Sequence, residues 1–193
     1  TLTTNAFIEG YRGRNYASVN AYLFQGLRSD DDPDATPTIP ALLDYSFIGE
    51  PGRLGETWRL TANALVLDRD IGASSNRVSL EGGWHLPHIS PGGAHYNLSA
   101  ILRGDLYYTD DAATSTDPTT SPDDGFTGRL FPQISLDWRY PLVAHTQRFR
   151  QIIEPIVVAI ASPYGGNQAD IPNEDSLAFE FDDANLFSAN RFP

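Results

Sequence analysis

Cysteine is missing from all 193 residues, which removes disulfide frameworks, thiolate zinc sites and cysteine nucleophiles together and leaves the redox compartment open. Methionine is missing too, even at the first position, and no charged-then-apolar leader opens the chain. The expectation is an excerpt from a longer or processed protein, in which targeting signals are not legible. Long apolar runs are absent: the longest, "IVVAIA", is about a third of the roughly 20 residues a membrane helix needs, so a helical membrane protein is excluded and a barrel is not. Basic clusters are scarce. With a formal net charge of −12 and no Lys-rich run, the chain lacks the surface that neutralises nucleic-acid phosphates. No G-x-S-x-G elbow, phosphate-cradling Gly loop or dinucleotide fingerprint occurs, and carboxylate pairs are too common here to mark a glycosidase, so neither enzyme chemistry nor a cofactor is expected. Hydrophobic residues at 40% and aromatics at 11% exclude a disordered polymer.

What is present is period two. Trp58, Leu60, Ala62, Ala64 and Val66 interleave with Arg59, Thr61, Asn63 and Leu65, the alternation of a strand with one apolar face. Val78, Leu80, Gly82, Trp84 and Leu86 alternate with Ser79, Glu81, Gly83 and His85. Tyr96, Leu98, Ala100, Leu102 and Leu106 oppose Asn97, Ser99, Arg103 and Asp105, with Ile101 the exception. Leu130, Ile134, Leu136, Trp138 and Tyr140 oppose Arg129, Gln133, Ser135, Asp137 and Arg139. Weaker versions run over Leu2 to Glu9, Asn15 to Leu27, Pro40 to Gly49 and Arg148 to Ser162. That makes eight strands of about 9 to 11 residues, the length that crosses a bilayer obliquely. A ninth is expected near Ser176. No stretch holds a 3.6-residue stripe, and Gly and Pro punctuate the connections, so the chain reads as all-β, antiparallel and up-and-down.

The connections differ by parity. The second, fourth, sixth and eighth, "RSDDDPDATP", "DRDIGASSN", "TDDAATSTDPTTSPDDG" and "SPYGGNQADIPNED", are mostly longer and hold most of the acid; the odd ones, "GYRGRN", "IGEPGRLGE", "PHISPGGA" and "PLVAHTQR", are shorter or less acidic. Outer-membrane barrels show this asymmetry, with short periplasmic turns and longer outer loops. Phe47, Trp58, Trp84, Tyr96, Trp138 and Tyr140 fall at the short-turn end of an apolar face, the expected interfacial girdle, with Tyr108 at the opposite interface; large aromatics can also cap the end of a sandwich core. Arg59, Asn63, Glu81, Arg103, Asp105, Arg129, Asp137 and Arg139 are the expected lumen-facing polar residues. They would hydrate an interior and bond a plug or saccharide, or would only pair with one another on a wet sheet face.

Other motifs carry less. Asp30, Asp32 and Asp34 open like an EF-hand loop, but Ala35 and Ala41 replace its glycine and closing glutamate. His85 and His88 have no third ligand nearby, so no metal site is expected. The "NLS" sequon at Asn97 lies inside a strand. Pro132 and Pro155 each imply a ladder defect, either a bulge near a strand end or a place where strands part or meet a plug.

"GWHLPHISPGGAHYNLSAILRGDLYYT", "RLFPQISLDWRYPL" and "QIIEPIVVAIASP", followed by the closing "IPNEDSLAFEFDDANLFSANRFP", together resemble the barrel domain of the LptD family of lipopolysaccharide-assembly outer-membrane proteins. The resemblance rests on Arg129 to Pro132, Glu154-Pro155, and Asn185-Leu186-Phe187 followed by Asn190-Arg191-Phe192. It implies that residues 1–193 are a middle portion of a larger outer-membrane β-barrel, open as an isolated piece. The closing stretch would stop where the next crossing begins, with the remaining strands and the periplasmic domain elsewhere. By the same resemblance the barrel inserts lipopolysaccharide into the outer leaflet without covalent chemistry, holds the lipoprotein plug LptE and connects to the periplasmic Lpt bridge. Its further contacts are outer-membrane lipid. The acidic loops, with Asp30, Asp31, Asp32, Asp110, Asp111, Asp123 and Asp124, would then meet lipopolysaccharide phosphates through Mg²⁺ or Ca²⁺. A general porin and a soluble carbohydrate-binding β-sandwich are the rival readings.

Overall fold

Alternating side chains leave each segment one face to bury and one to hydrate, and extended pairing with neighbours satisfies the backbone between them. In the computed structural model, which describes residues 1–28, 31, 33–34, 36–71, 74–110, 125–145 and 149–163, this produces a single eight-stranded antiparallel meander. Its order is β1 (Leu2–Arg12), β2 (Asn15–Gln25), β3 (Thr38–Ile48), β4 (Thr57–Asp68), β5 (Ser74–Ile89), β6 (His95–Asp110), β7 (Gly125–Arg139) and β10 (Ile156–Ala161). Between the last two lies a separate two-stranded sheet, β8 (Leu142–His145) with β9 (Arg150–Ile153). No helix occurs among the described residues. Among the described residues the sheet does not close: β1 pairs with β2 alone, and β10 with β7 alone. It is an all-β segment with the shape of an incomplete barrel.

Three short connections are closed by glycine in the left-handed region, Gly13 at φ 61°, Gly55 at φ 83° and Gly93 at φ 85°, where a side chain would be strained. The first needs only Gly13 and Arg14 between the paired Arg12 and Asn15. Arg14 Nη1 donates to the Gly49 carbonyl at 3.0 Å, tying this turn to the one between β3 and β4.

Two expectations are corrected by the strands. β5 and β6 run for 16 residues and β7 for 15, longer than the apolar alternation, because polar cross-strand pairs such as Asn76↔Tyr108 and Ser74↔Asp110 continue the ladder. The stretch from Arg148 to Ser162 is not one crossing. "PLVAHTQR" is not a plain turn either: Leu142–His145 pairs with Arg150–Ile153, and only Ile156–Ala161 joins the main sheet. The physical cause is a pair of prolines, Pro141 and Pro155, which interrupt pairing while the Tyr140 N–H still reaches the Pro155 carbonyl at 3.2 Å. The expected ninth strand lies outside the described residues.

Pro40 sits in a bulge. On β3 the step from Thr38 to Ala41 is three residues while β4 advances two, from Asp68 to Val66, and the β2 side shifts in the same place. Pro132 instead keeps register opposite Leu102. Its other side faces β10, where the ladder stops at Ile134↔Ala161; counting two residues further sets Pro132 opposite Pro163. Neither can donate, so the β7–β10 ladder gains no hydrogen bond there.

The sheet's most buried strand residues, Ser18, Leu67, Ser75, Ser99, Asp105, Tyr107 and Thr109, all share one face by register. No second sheet lies over them among the described residues, and this more buried side is taken as the concave side of a curled sheet. The opposite face exposes Val78, Leu80, Leu102, Leu106, Leu130 and Ile134. In β7 the alternation is complete from Gly125 to Leu136: odd positions half-buried, even positions exposed.

Candidate functional site

The concave face is mostly polar because most alternate residues of seven strands are, and register aligns them. One transverse row reads Glu9, Ser18, Asp44, Asn63, Ser79, Asp105 and Arg129, each residue directly opposite the next. Its anchor is Asp105, whose side chain is 0% exposed. A carboxylate so covered needs strong donors. Arg103 Nε supplies one at 3.0 Å to Oδ1, and Arg129 Nε bonds Oδ2. The Arg103 and Arg129 side chains are 38% and 24% exposed, so the cluster stays open to the concave side.

The lattice continues toward β3. Asn63 Nδ2 donates to Asp44 Oδ1 at 2.7 Å, and Asn63 Oδ1 accepts from Arg77 Nη2 at 3.3 Å. Asn20 Nδ2 donates to the Ser18 hydroxyl at 3.3 Å. Of the polar residues singled out from sequence, Asn63, Arg103, Asp105 and Arg129 thus belong to this lattice. Glu81 stands directly opposite Arg103. Arg59 shares the face but pairs in register with Gly83 and Ile48. Asp137 and Arg139 form their own pair at the short-turn end, with Arg139 Nε donating to Asp137 Oδ1 at 2.9 Å. Ile101, the break in the alternation, faces Gly83 and Gln133 on this side.

Asp44, Arg77, Ser18 and Tyr107 were not singled out. Arg77 fell just outside a strand begun at Val78, and the Pro40 bulge hides the parity of Asp44. Within the strands the face balances: Arg59, Arg77, Arg103, Arg129 and Arg139 are matched by Glu9, Asp44, Glu81, Asp105 and Asp137. The chain's negative excess therefore lies elsewhere, mostly in the long connections and the closing stretch. Every cation among the 13 is arginine, whose planar fork suits carboxylates and phosphates and stays charged.

His85 Nδ1 and the Ser99 hydroxyl bond at 2.8 Å on the polar face. His88, three residues along the strand, is on the other face with its ring 6.2 Å from Tyr96, so the two histidines cannot share a ligand. No group of three or more His, Cys, Asp or Glu gathers among the described residues. Asn97 is the third residue of β6, opposite Asp137. Asp30, Asp32, Asp111, Asp123 and Asp124 lie outside the described residues; Asp31 accepts from the Arg28 N–H at 3.0 Å.

The other face is uncharged through the middle of every strand. Its aromatics are ordered: Phe47 is level with Leu60, Gly82 and Leu102; Trp58 pairs with Trp84, level with Ala100; Tyr96 pairs with Trp138. Tyr140 follows at 6.3 Å from the Trp138 ring. From β3 to β7 this line descends six residues, from the level of Leu102 to that of Tyr96. At the far end Tyr108 and Phe126 meet at 4.8 Å, each twelve positions from Tyr96 and Trp138 on its own strand.

Comparison with curated proteins finds no match. A family model described as LPS transport system D, LptD, matches residues 1–193.

Proposed function

The chain belongs to the LptD family, whose work is lipopolysaccharide transport and assembly at the outer membrane, and on that premise we propose that residues 1–193 form part of the wall of an outer-membrane translocon barrel that delivers lipopolysaccharide to the outer leaflet. The apolar face meets lipid. The polar face lines the lumen, toward lipopolysaccharide and the plug LptE, with the periplasmic bridge engaged through a domain outside this segment. No bond is made or broken.

The observation that carries this reading is the oblique aromatic line. Six residues at about 3.3 Å is about 20 Å along the strands, against about 19 Å across four strand spacings, so the line crosses the strands at roughly 45°, the tilt of strands in a membrane barrel. A horizontal interface would draw that line. The distance to the second aromatic level agrees: twelve residues at about 3.3 Å, tilted by about 45°, rise about 28 Å, close to the apolar band of about 25 Å that such barrels present. Phe47, Trp58, Trp84, Tyr96, Trp138 and Tyr140 then sit at one interface and Tyr108 with Phe126 at the other. A soluble sandwich has no reason to place its aromatics on a tilted line.

Lumen-side transport needs a surface that offers hydrogen bonds without trapping its cargo. The Asp105 cluster has that character, since its arginine side chains are held on a fixed carboxylate yet stay partly exposed on the polar face, where guanidinium suits a phosphate or a sugar hydroxyl. Photo-crosslinking residues placed at Gln133 and Thr61 on the polar face of the full-length parent should capture LptE or lipopolysaccharide, and one at Leu102 should capture neither. Capture from Leu102 alone would reverse the faces. Capture of neither partner from any polar position would favour a general porin.

A further inference from the structure

The β8–β9 hairpin continues the β7–β10 ladder in the same register. Counting on from Arg139↔Ile156 through Tyr140, Pro141 and Leu142 on one strand, and Pro155, Glu154 and Ile153 on the other, reaches Leu142↔Ile153 with no residue gained or lost. The hairpin is therefore an overhang of the wall below its short-turn edge, loosened at the two prolines. β6 begins level with Arg139, so among the described residues no neighbouring strand flanks it. A lone two-stranded hairpin is marginal in water, and this one is apolar on both faces: Leu142 with Ile153 on one, Val143 with Ile152 on the other, all exposed, Ile152 at 61% and Ile153 at 66%. At its far end His145 pairs with Arg150, and Phe149 beside them is exposed.

We infer that this hairpin is an interfacial anchor that binds anionic phospholipid headgroups on the short-turn side of the membrane. The inference rests on the membrane reading of the apolar face given above. Continuity is the first argument. By the same count Trp138, Tyr140, Leu142 and Ala144 lie on one side with Val157, Pro155, Ile153 and Gln151, so the hairpin extends the apolar face past its aromatic line. Its symmetry is the second: a flat protein surface would cover one apolar face, whereas a lipid interface surrounds both. Its length is the third, because four residue pairs at about 3.3 Å span about 13 Å, enough to cross obliquely a headgroup layer roughly 5–8 Å thick. The end that emerges carries Arg150 and His145, and guanidinium is the donor that matches a phosphodiester in geometry and charge.

The test uses the full-length parent in vesicles of phosphatidylethanolamine, with and without phosphatidylglycerol. Single variants Ile153→Cys, Ile134→Cys and Gly52→Cys are labelled with an environment-sensitive fluorophore and quenched by spin-labelled phospholipid or by aqueous iodide. Lipid quenching at 153 should be at least half of that at 134 and should rise with phosphatidylglycerol, while the label at 52 should respond to iodide. Arg150→Glu should abolish the rise. Absence of lipid quenching at 134 would remove the membrane reading itself. If 134 is quenched by lipid but 153 by iodide, or by neither reagent because protein covers it, the anchor alone is overturned. Lipid quenching at 153 that ignores both phosphatidylglycerol and Arg150→Glu overturns the headgroup recognition.

Discussion

At the scale of single residues, the polar face turns on Asp105. Its carboxylate is wholly covered and holds Arg103 and Arg129 from two strands, whereas Asp137 holds one half-exposed arginine two residues along its own strand. The same chemistry therefore carries different weight in the two places. Asp105→Ala should cost about 2–3 kcal/mol, since bonds to a charged group are lost and two guanidiniums are left facing each other. Asp137→Ala should cost under about 1 kcal/mol, as expected of a surface ion pair. Urea unfolding of the reconstituted parent measures both, and equal losses would show that Asp105 is no anchor. The sequence offered both aspartates as equals, because alternation reveals the face but not how deeply a residue sits in its curvature.

For the elements, the strict alternation of β7 makes neighbouring residues inhabit different solvents. Ile134→Arg should destabilise by about 2–4 kcal/mol if that position faces the bilayer midplane, and Ser135→Arg, on the polar face, should be tolerated. Comparable damage from both would point to a sheet dry on two sides. The prolines make a second element-scale prediction. Tyr140 directs its N–H toward the β10 side, and alternation gives position 132 the same direction, opposite Pro163. In Pro132→Val the new amide should therefore find the Pro163 carbonyl and exchange slowly with solvent. An amide at 132 that exchanges as fast as those of the exposed turns would mean that the strands part for a reason other than the missing donor. The first seven strands and their order were legible as alternation punctuated by Gly and Pro. Strand length was not, because hydrogen bonding continues past the point where the apolar pattern ends. Nor was the overhanging hairpin, since the apolar run Ile156–Ala161 and the preceding Arg150–Ile153 look like one strand until their partners are known.

At the scale of the whole molecule, two edges unpaired among the described residues and a broad apolar face dominate behaviour. Residues 1–193 expressed alone should aggregate in plain buffer and disperse only in detergent, as unpaired edges recruit other strands; light scattering showing a monodisperse, cooperatively folded monomer without detergent would count heavily against a barrel segment. In the intact parent, a membrane-impermeant thiol reagent applied to whole cells should label cysteines placed at Asp31, Thr116 and Gln168 and spare those at Gly52 and Gly92. The reverse pattern would invert the topology. Neutralising the acidic residues of the long connections should make the cell surface less sensitive to chelators, modestly and collectively, because exposed charges are screened within about 8 Å at physiological salt. An unchanged sensitivity would leave those residues as ordinary solvated loops.

The sequence alone determined the alternation, and with it the all-β class, the meander order and the identity of the two faces, because a period of two depends on nothing beyond neighbouring residues. The resemblance carried by Arg129 to Pro132, Glu154-Pro155 and the closing stretch pointed to the family. Register belonged to the tertiary structure. Only pairing could place Glu9, Ser18, Asp44, Asn63, Ser79, Asp105 and Arg129 in one row, set the aromatics on a line oblique to the strands, bury Asp105 while leaving Arg59 exposed, and oppose Pro132 to Pro163. Each of these depends on how far one strand slides against the next, a distance summed through turns and bulges that no local pattern contains.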